Sequence, residues 1–425
     1  MEIINYTDDT TIFSLATNSQ KDCLEAALIA GSNLQYAYLI DWDLRDVNLT
    51  GADISHAKLN FANLEGANLT GATCISAIFK GAILSGANLE NTNLMGSNLQ
   101  HTDMSTAYIK GTNFSNCNLL DTKFPVPIKN KILDDLVQAG FDGPELPTVL
   151  LDLIANYTDN SNLNGIVFDN AEMPGIEFVG LNMAGAQLNQ TNLPSSIFRN
   201  CNLSGAQGNT LYLENATLID TPLDGANLSF VYLQCAKLPK ISIKNAQFLD
   251  SFFNCATMND AVLSGTIFNG SEFFKTNLEN SLMDGCDFRD ATFRNANLIN
   301  VNLGRAGLEN VVFRNCDFTN ADLSGAELQS AQFINCLMTN ANLSSCENVN
   351  TATFTNCINY VAASVLPAPF PSPVQLDVDE SDDESDDESD DESDTSMAPS
   401  SSTRKRNNGG TENESDPKRQ KPTTN

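Results

Sequence analysis

Ala62-Asn63-Leu64-Glu65-Gly66-Ala67-Asn68-Leu69-Thr70-Gly71 spells one five-residue phrase twice in ten residues. The phrase extends in both directions. Over positions 34–124 every fifth residue is apolar, 19 positions without a slip, mostly Leu with Cys74, Phe79, Met104 and Phe114 among them. Two residues before each stands a mostly small one, such as Ala57, Ala62, Ala67, Ala72 and Ala77; Trp42 and Val47 are the large exceptions. The pattern returns in a new register at Leu163 and holds for 37 positions to Leu343, with Gly208 the one conspicuous gap. A period of five suits neither an α-helix nor a simple strand. It suits a chain that turns a corner every five residues, with the large residue and the small one both pointing inward.

A 20-residue spacing sits above the five. Phe248, Phe268 and Phe288 are 20 apart, and so are Phe253, Phe273, Phe293, Phe313 and Phe333. The sequence alone gives the five; were the coils 20 residues long and stacked at the strand spacing of ~4.8 Å, these would become two neighbouring aromatic ladders.

These phrases, with Ala321-Asp322-Leu323-Ser324-Gly325, resemble the pentapeptide-repeat family, whose motif is roughly A-(D/N)-L-x-x, over about two thirds of the chain. The resemblance implies an all-β solenoid, a right-handed quadrilateral β-helix with four repeats per coil. Here it falls in two lobes, 32–124 and 161–359. Residues 1–31 read as an N-terminal helical cap, with a helix over 22–30 that aligns Leu24, Ala27 and Leu28 and stops at Gly31. Such a cap is needed because a terminal coil exposes core and unpaired edge. Residues 125–160 break the array with Pro125 and Pro127, followed by apolar residues at helical spacing (Ile128, Ile132, Leu136), and are expected to form a helical insertion. After Leu343 the register slips by one, giving Phe354. Residues 360–374 read as a C-terminal strap or linker, and 375–425 as a disordered acidic tail.

Composition narrows the function. The formal net charge of −30 disfavours direct contact with nucleic acid or anionic membranes, and no stretch approaches the roughly 18 apolar residues of a bilayer span. Eleven cysteines without framework spacing, and no secretory leader at Met1, point to a reducing compartment, cytoplasmic or nuclear. No catalytic, cofactor-binding or metal site is expected. His56 and His101 are the only histidines, on outward positions more than two coils apart. Cys117, Cys201, Cys286, Cys316, Cys336 and Cys346 take the small inward place usually held by Ala. Cys235 and Cys255 differ: both face outward, one coil apart, a separation at which a disulfide is geometrically conceivable.

The tail carries its own signals. Arg404, Lys405 and Arg406 are followed after eleven residues by Lys418, Arg419 and Lys421, which resembles a bipartite nuclear-localisation signal for an import receptor. Ser381, Ser385 and Ser389 each open an identical Ser-Asp-Asp-Glu run and are phosphorylation candidates for an acidophilic kinase. A tail of this kind also suits basic proteins. The expected function is a non-catalytic protein-binding scaffold, acting in a eukaryotic host nucleus as an effector of an intracellular bacterium or large virus. The alternative, a DNA mimic that binds DNA gyrase or another DNA-binding protein, comes from the resemblance, since some family members mimic DNA and bind DNA gyrase. Charge weighs against it. Residues 1–124 hold 13 acidic and 6 basic side chains, and 161–374 hold 18 and 9. The resulting net of −16 is under half of the roughly 40 phosphate charges on ~67 Å of duplex.

Overall fold

Each residue of the five-residue phrase has one structural task. Leu64 and Ala62 point inward and are fully buried. The Leu64 amide donates to the Ile83 carbonyl at 2.8 Å, Gly66 to Ser85 at 3.0 Å and Asn63 to Trp42 at 2.9 Å, while the Ala67 amide turns back on Leu64 at 3.0 Å. Only the Glu65 amide is left, and the Asn63 side-chain oxygen accepts it at 3.1 Å. All five donors of the repeat are thereby satisfied, as buried backbone requires. The Asn or Asp of the motif is the acceptor that the ladder cannot supply. Asn68, Asn88 and Asp322 do the same for Thr70, Glu90 and Ser324.

The computed structural model describes residues 1–125 and 161–359. The expected helical insertion falls almost wholly outside the described residues, and the strap and the acidic tail lie wholly outside them. Parallel partners stand 20 residues apart, as in Asp43↔Asn63, Asn63↔Ile83 and Ile83↔Asp103. With a corner every five residues, each coil has four sides. Side one carries Leu34 and Phe268 among its inward residues, side two Leu39 and Phe293, side three Leu44 and Phe318, side four Leu49 and Leu303. The corners hold a left-handed backbone, with φ of 68° at Gly66, 55° at Asn91 and 54° at Asp46. Only Gly, and next Asn or Asp, take that conformation at low cost, which accounts for the abundance of these residue types.

Most rungs are isolated bridges. Longer pairing gives β3 (Glu177–Val179), β4 (Ile197–Arg199), β5 (Gln207–Tyr212), β6 (Thr217–Ile219), β7 (Asn227–Tyr232), β8 (Gln247–Leu249), β9 (Glu272–Phe274), β10 (Thr292–Arg294), β11 (Val312–Arg314), β12 (Gln332–Ile334) and β13 (Thr353–Thr355). Strands β9 to β13 form one five-stranded parallel sheet on side two. Behind it Phe253, Phe273, Phe293, Phe313 and Phe333 stack at centroid distances of 4.4 to 5.0 Å. Phe248, Phe268 and Phe288 make the second ladder, and its rings meet the first edge-on. The one-residue slip near the end is absorbed by a 3-10 turn, Val349–Thr351, so that Phe354 still stacks on Phe333 at 4.6 Å.

The small inward position follows a rule of its own. Where it is Thr, Ser or Cys, its hydroxyl or thiol in most coils donates to the carbonyl of the large residue 23 positions earlier, while Ser196, Thr221 and Ser251 donate to the nearer carbonyls of Leu193, Ile219 and Leu249. Thr92 reaches Leu69 at 2.7 Å, Ser97 reaches Cys74 at 2.6 Å and Cys117 reaches Leu94 at 3.0 Å. Polar residues therefore enter the core without an unsatisfied atom.

The cap is more than the expected helix. Helix α1 runs Gln20–Ile29, two residues earlier than the sequence suggested, because Ser19 caps it by accepting the Asp22 amide at 3.1 Å. Ahead of it, β1 (Glu2–Ile4) and β2 (Thr11–Ser14) form an antiparallel hairpin. The first coil has no predecessor to accept its amides. Ile4 accepts Tyr38 at 2.9 Å, the Gln20 side chain accepts Asp43 at 2.6 Å, and the Glu25 carboxylate accepts Asn48 at 3.0 Å. Hairpin and helix together complete the open edge.

The two repeat runs join without a break in the ladder. Asn113 pairs with Val167 and Asn118 with Glu172, and Phe114 stacks on Phe168 at 5.6 Å. These partners are 54 residues apart, one coil plus 34 residues. Since 34 is not a multiple of five, the sequence register changes while the spatial register is kept.

Candidate functional site

Most of the outer surface is occupied by residues with structural duties. The corner asparagines Asn280, Asn300, Asn320 and Asn340 are linked amide to amide at 2.9 to 3.0 Å. Side two between its 213 and 313 rungs is different. Tyr212, Tyr232 and Phe252 stand on consecutive coils with rings stacked at 5.0 Å and nearly parallel. Phe230, at the corner leading into this side, has φ of 51° and is 41% exposed; Phe274 is 38% exposed. The side-chain oxygen of Gln234 is buried without a hydrogen-bond partner among the described residues. Burial raises the Glu214 carboxyl above the usual range. Burial first, then Tyr232 and Glu214, raises the Tyr212 phenol. Further along the same side come Lys275, Arg294 and Arg314, all exposed. Phe61 shares the left-handed corner conformation and is 59% exposed, but its ring has a structural seat over Gly81, where an added Cβ would meet it at 2.6 Å.

The histidines do not converge. The His56 ring stacks on Tyr36 at 4.7 Å, and its carbonyl accepts the Tyr6 hydroxyl at 2.8 Å, which ties the N-terminal hairpin to the second coil. His101 Nδ1 lies 3.3 Å from the exposed Asp121 carboxylate. Cys117, Cys201, Cys286, Cys316 and Cys336 are buried on the inward position and Cys346 is half-buried, and all are free thiols. Burial pushes Cys117 and Cys286 up to about 12 and Cys201 up to about 11. Cys235 and Cys255 face outward and are exposed. Among the described residues no group of three or more His, Cys, Asp or Glu side chains is placed to hold a metal ion, and no helix is long and apolar enough to cross a membrane. A polar cleft of 480 Å³ lies between the start of α1 and Arg45, where Asp43 and Arg45 neutralise each other at 2.7 Å. The tail candidates Arg404, Lys405, Arg406, Lys418, Arg419, Lys421, Ser381, Ser385 and Ser389 lie outside the described residues.

The sequence pattern marked Tyr212, Tyr232 and Phe252 only as outward residues. Their 20-residue spacing is the signal that could have found them.

A family model for pentapeptide repeats matches the chain in eight copies, over residues 23–60, 48–86, 74–111, 87–124, 182–207, 271–310 and 306–344. The chain belongs to the pentapeptide-repeat family. Solved pentapeptide-repeat proteins similar to it include HetL, a protein involved in heterocyst differentiation regulation in the cyanobacterium Nostoc sp. strain PCC 7120. HetL is 20% identical, with 51% of this chain and 94% of that one covered and a TM-score of 0.22. A trypsin-treated form of QnrB1, a plasmid-mediated fluoroquinolone resistance protein, is 19% identical over 43% of this chain and 89% of its own, with a TM-score of 0.33. A search of curated proteins returned no match. As a pentapeptide-repeat protein the chain is a repeat scaffold, and its individuality lies in what its outer sides present.

Proposed function

We propose that this pentapeptide-repeat protein is a non-catalytic scaffold that binds a protein partner through side two. Phe230 carries the reading. Its left-handed corner costs a bulky residue about 1–2 kcal/mol, and its exposed ring forgoes the stabilisation of burial. Asn and Gly fill most corners of the array, so a residue unfavourable on both counts is best understood as a contact for something else. Tyr212, Tyr232, Phe252 and Phe274 beside it, with arginines further along, have the composition of protein interfaces, which are enriched in aromatics and Arg.

The test is capture of partners from a cell lysate by the wild-type chain and by Phe230→Asn combined with Phe274→Ser. Loss of a captured protein in the double variant, with unchanged circular dichroism, supports the reading. An identical captured set overturns the assignment to side two. Inhibition of DNA supercoiling by the purified chain would move the function to DNA mimicry instead.

The tail extends the proposal. Residues 404–406 and 418–421 direct the chain to a nucleus through an import receptor, and the acidic runs opened by Ser381, Ser385 and Ser389 engage basic proteins, more strongly when phosphorylated. The support is compositional: six of the chain's 23 basic residues fall in these two clusters. On this reading the protein acts inside a eukaryotic host cell. Nuclear accumulation of a fluorescent fusion should disappear when both clusters are replaced; unchanged accumulation would refute the targeting role.

A further inference from the structure

We propose that Cys235 and Cys255 form a surface dithiol that a low-molecular-weight disulfide oxidises to an intramolecular bond, clamping two neighbouring coils together. The pair occupies the same corner column one coil apart, with φ of 57° and 59°. Identical backbone conformations send the two Cβ atoms off in the same direction. The rung is fixed from behind: the Cys235 amide donates to the Asn254 carbonyl at 2.8 Å and the Cys255 amide to the Phe274 carbonyl at 2.7 Å. A coil spacing of ~4.8 Å falls inside the Cα separation of about 4.4–6.8 Å that disulfides span, and closing the bond draws the parallel Cβ atoms together by a few tenths of an ångström, to the upper end of the usual range of about 3.5–4.5 Å.

Access singles out this pair among eleven cysteines. Seven of the others are buried and two half-buried, and most give their thiol hydrogen to a carbonyl of the stack. Cys316, Cys336 and Cys357 also follow one another coil by coil, but they sit on the inward position, where Cys336 donates to the Phe313 carbonyl at 3.6 Å and Cys357 to the Phe333 carbonyl at 3.4 Å. An external disulfide must reach a thiolate in line with its sulfur–sulfur bond, and the corner pair is the most open to it. Desolvation first, then the adjacent Cys255 thiol, raises the Cys235 thiol, so the attacking thiolate is favoured by mildly alkaline conditions.

The chemistry closes with oxidised glutathione. One corner thiolate attacks a glutathione sulfur, releasing one glutathione thiolate and leaving a mixed disulfide. The second corner thiolate attacks the protein sulfur of that bond and releases the other. Two protein thiols lose two electrons and two protons, and one glutathione disulfide becomes two glutathione thiols. The clamp joins the same two coils that carry Tyr232 and Phe252.

The experiment treats the reduced full-length protein with oxidised glutathione at pH 8, blocks remaining thiols and maps tryptic peptides without reduction. The expected result is loss of two free thiols, a linked peptide pair containing Cys235 and Cys255, no glutathione on either, and full reversal by dithiothreitol. In Cys235→Ser, Cys255 should instead retain glutathione as a stable mixed disulfide. Separate glutathione adducts on both residues of the wild-type chain, a first crosslink between Cys336 and Cys357, or no loss of thiols would each overturn the proposal.

Discussion

Arg294 and Arg314 stand directly opposite each other in parallel register on β10 and β11, and neither has a carboxylate within ion-pair distance among the described residues. Arg45, Arg199, Arg289 and Arg305 each have one. Like charges facing across a rung are destabilising. Arg314→Glu converts the repulsion into an attraction and should raise stability by about 0.2–1 kcal/mol, read as a higher midpoint in urea at low salt. The gain should shrink as salt is added.

Phe293 lies between Phe273 at 4.4 Å and Phe313 at 4.8 Å, with Phe288 edge-on at 5.3 Å. Phe293→Ala empties one rung of a close-packed ladder. It should cost about 3–5 kcal/mol, measured by chemical denaturation. Phe293→Leu should recover most of that loss, because Leu occupies the equivalent rung in Leu213 and Leu233.

Asn68 accepts both the Thr70 amide at 3.0 Å and the Thr70 hydroxyl at 2.7 Å. Asn68→Ala should cost about 1 kcal/mol. Asn68→Asp keeps the acceptor and should be nearly neutral at pH 7. Equal losses in the two variants would refute the acceptor role of this motif position.

The buried thiols set an alkaline limit. Burial lifts Cys117 and Cys286 from 9.0 to about 12, and Cys201 to about 11. The folded state therefore holds its thiol protons more tightly than the unfolded chain. Their contribution is intact below pH 9 and is lost as pH rises from there through about 11 to 12, when the unfolded chain ionises first. Melting temperature should fall steeply over that window, and Cys117→Ala with Cys286→Ala should flatten the fall.

The five-residue period made the core legible before any coordinates, because one large side chain per side is what a square coil can hold. The period places Leu64, Phe293 and, five residues before Leu343, Met338 inward, and all are buried. Gly208 shows the limit of pattern reading. Its missing side chain is compensated by Leu228, whose methyl group would lie 3.1 Å from an added Cβ, and no period announces such a repair. The hairpin of β1 and β2 was also hidden. It obeys no repeat, and its purpose, supplying the Ile4 carbonyl to the Tyr38 amide of the first coil, appears only when unpaired amides are counted. Side two was illegible for a related reason. Outward residues escape the constraint that makes inward ones periodic, so the meaning of Phe230 needed its backbone angle and its exposure together.

The joined ladder between Asn118 and Glu172 has a practical corollary. A coil here is held by the coils above and below it, and the covalent path along the chain is secondary. The corner after Phe124 is therefore a natural port for grafting. A foreign peptide whose ends meet the distance between that corner and Leu163 could replace the native connection, leaving the stack on either side to assemble as before.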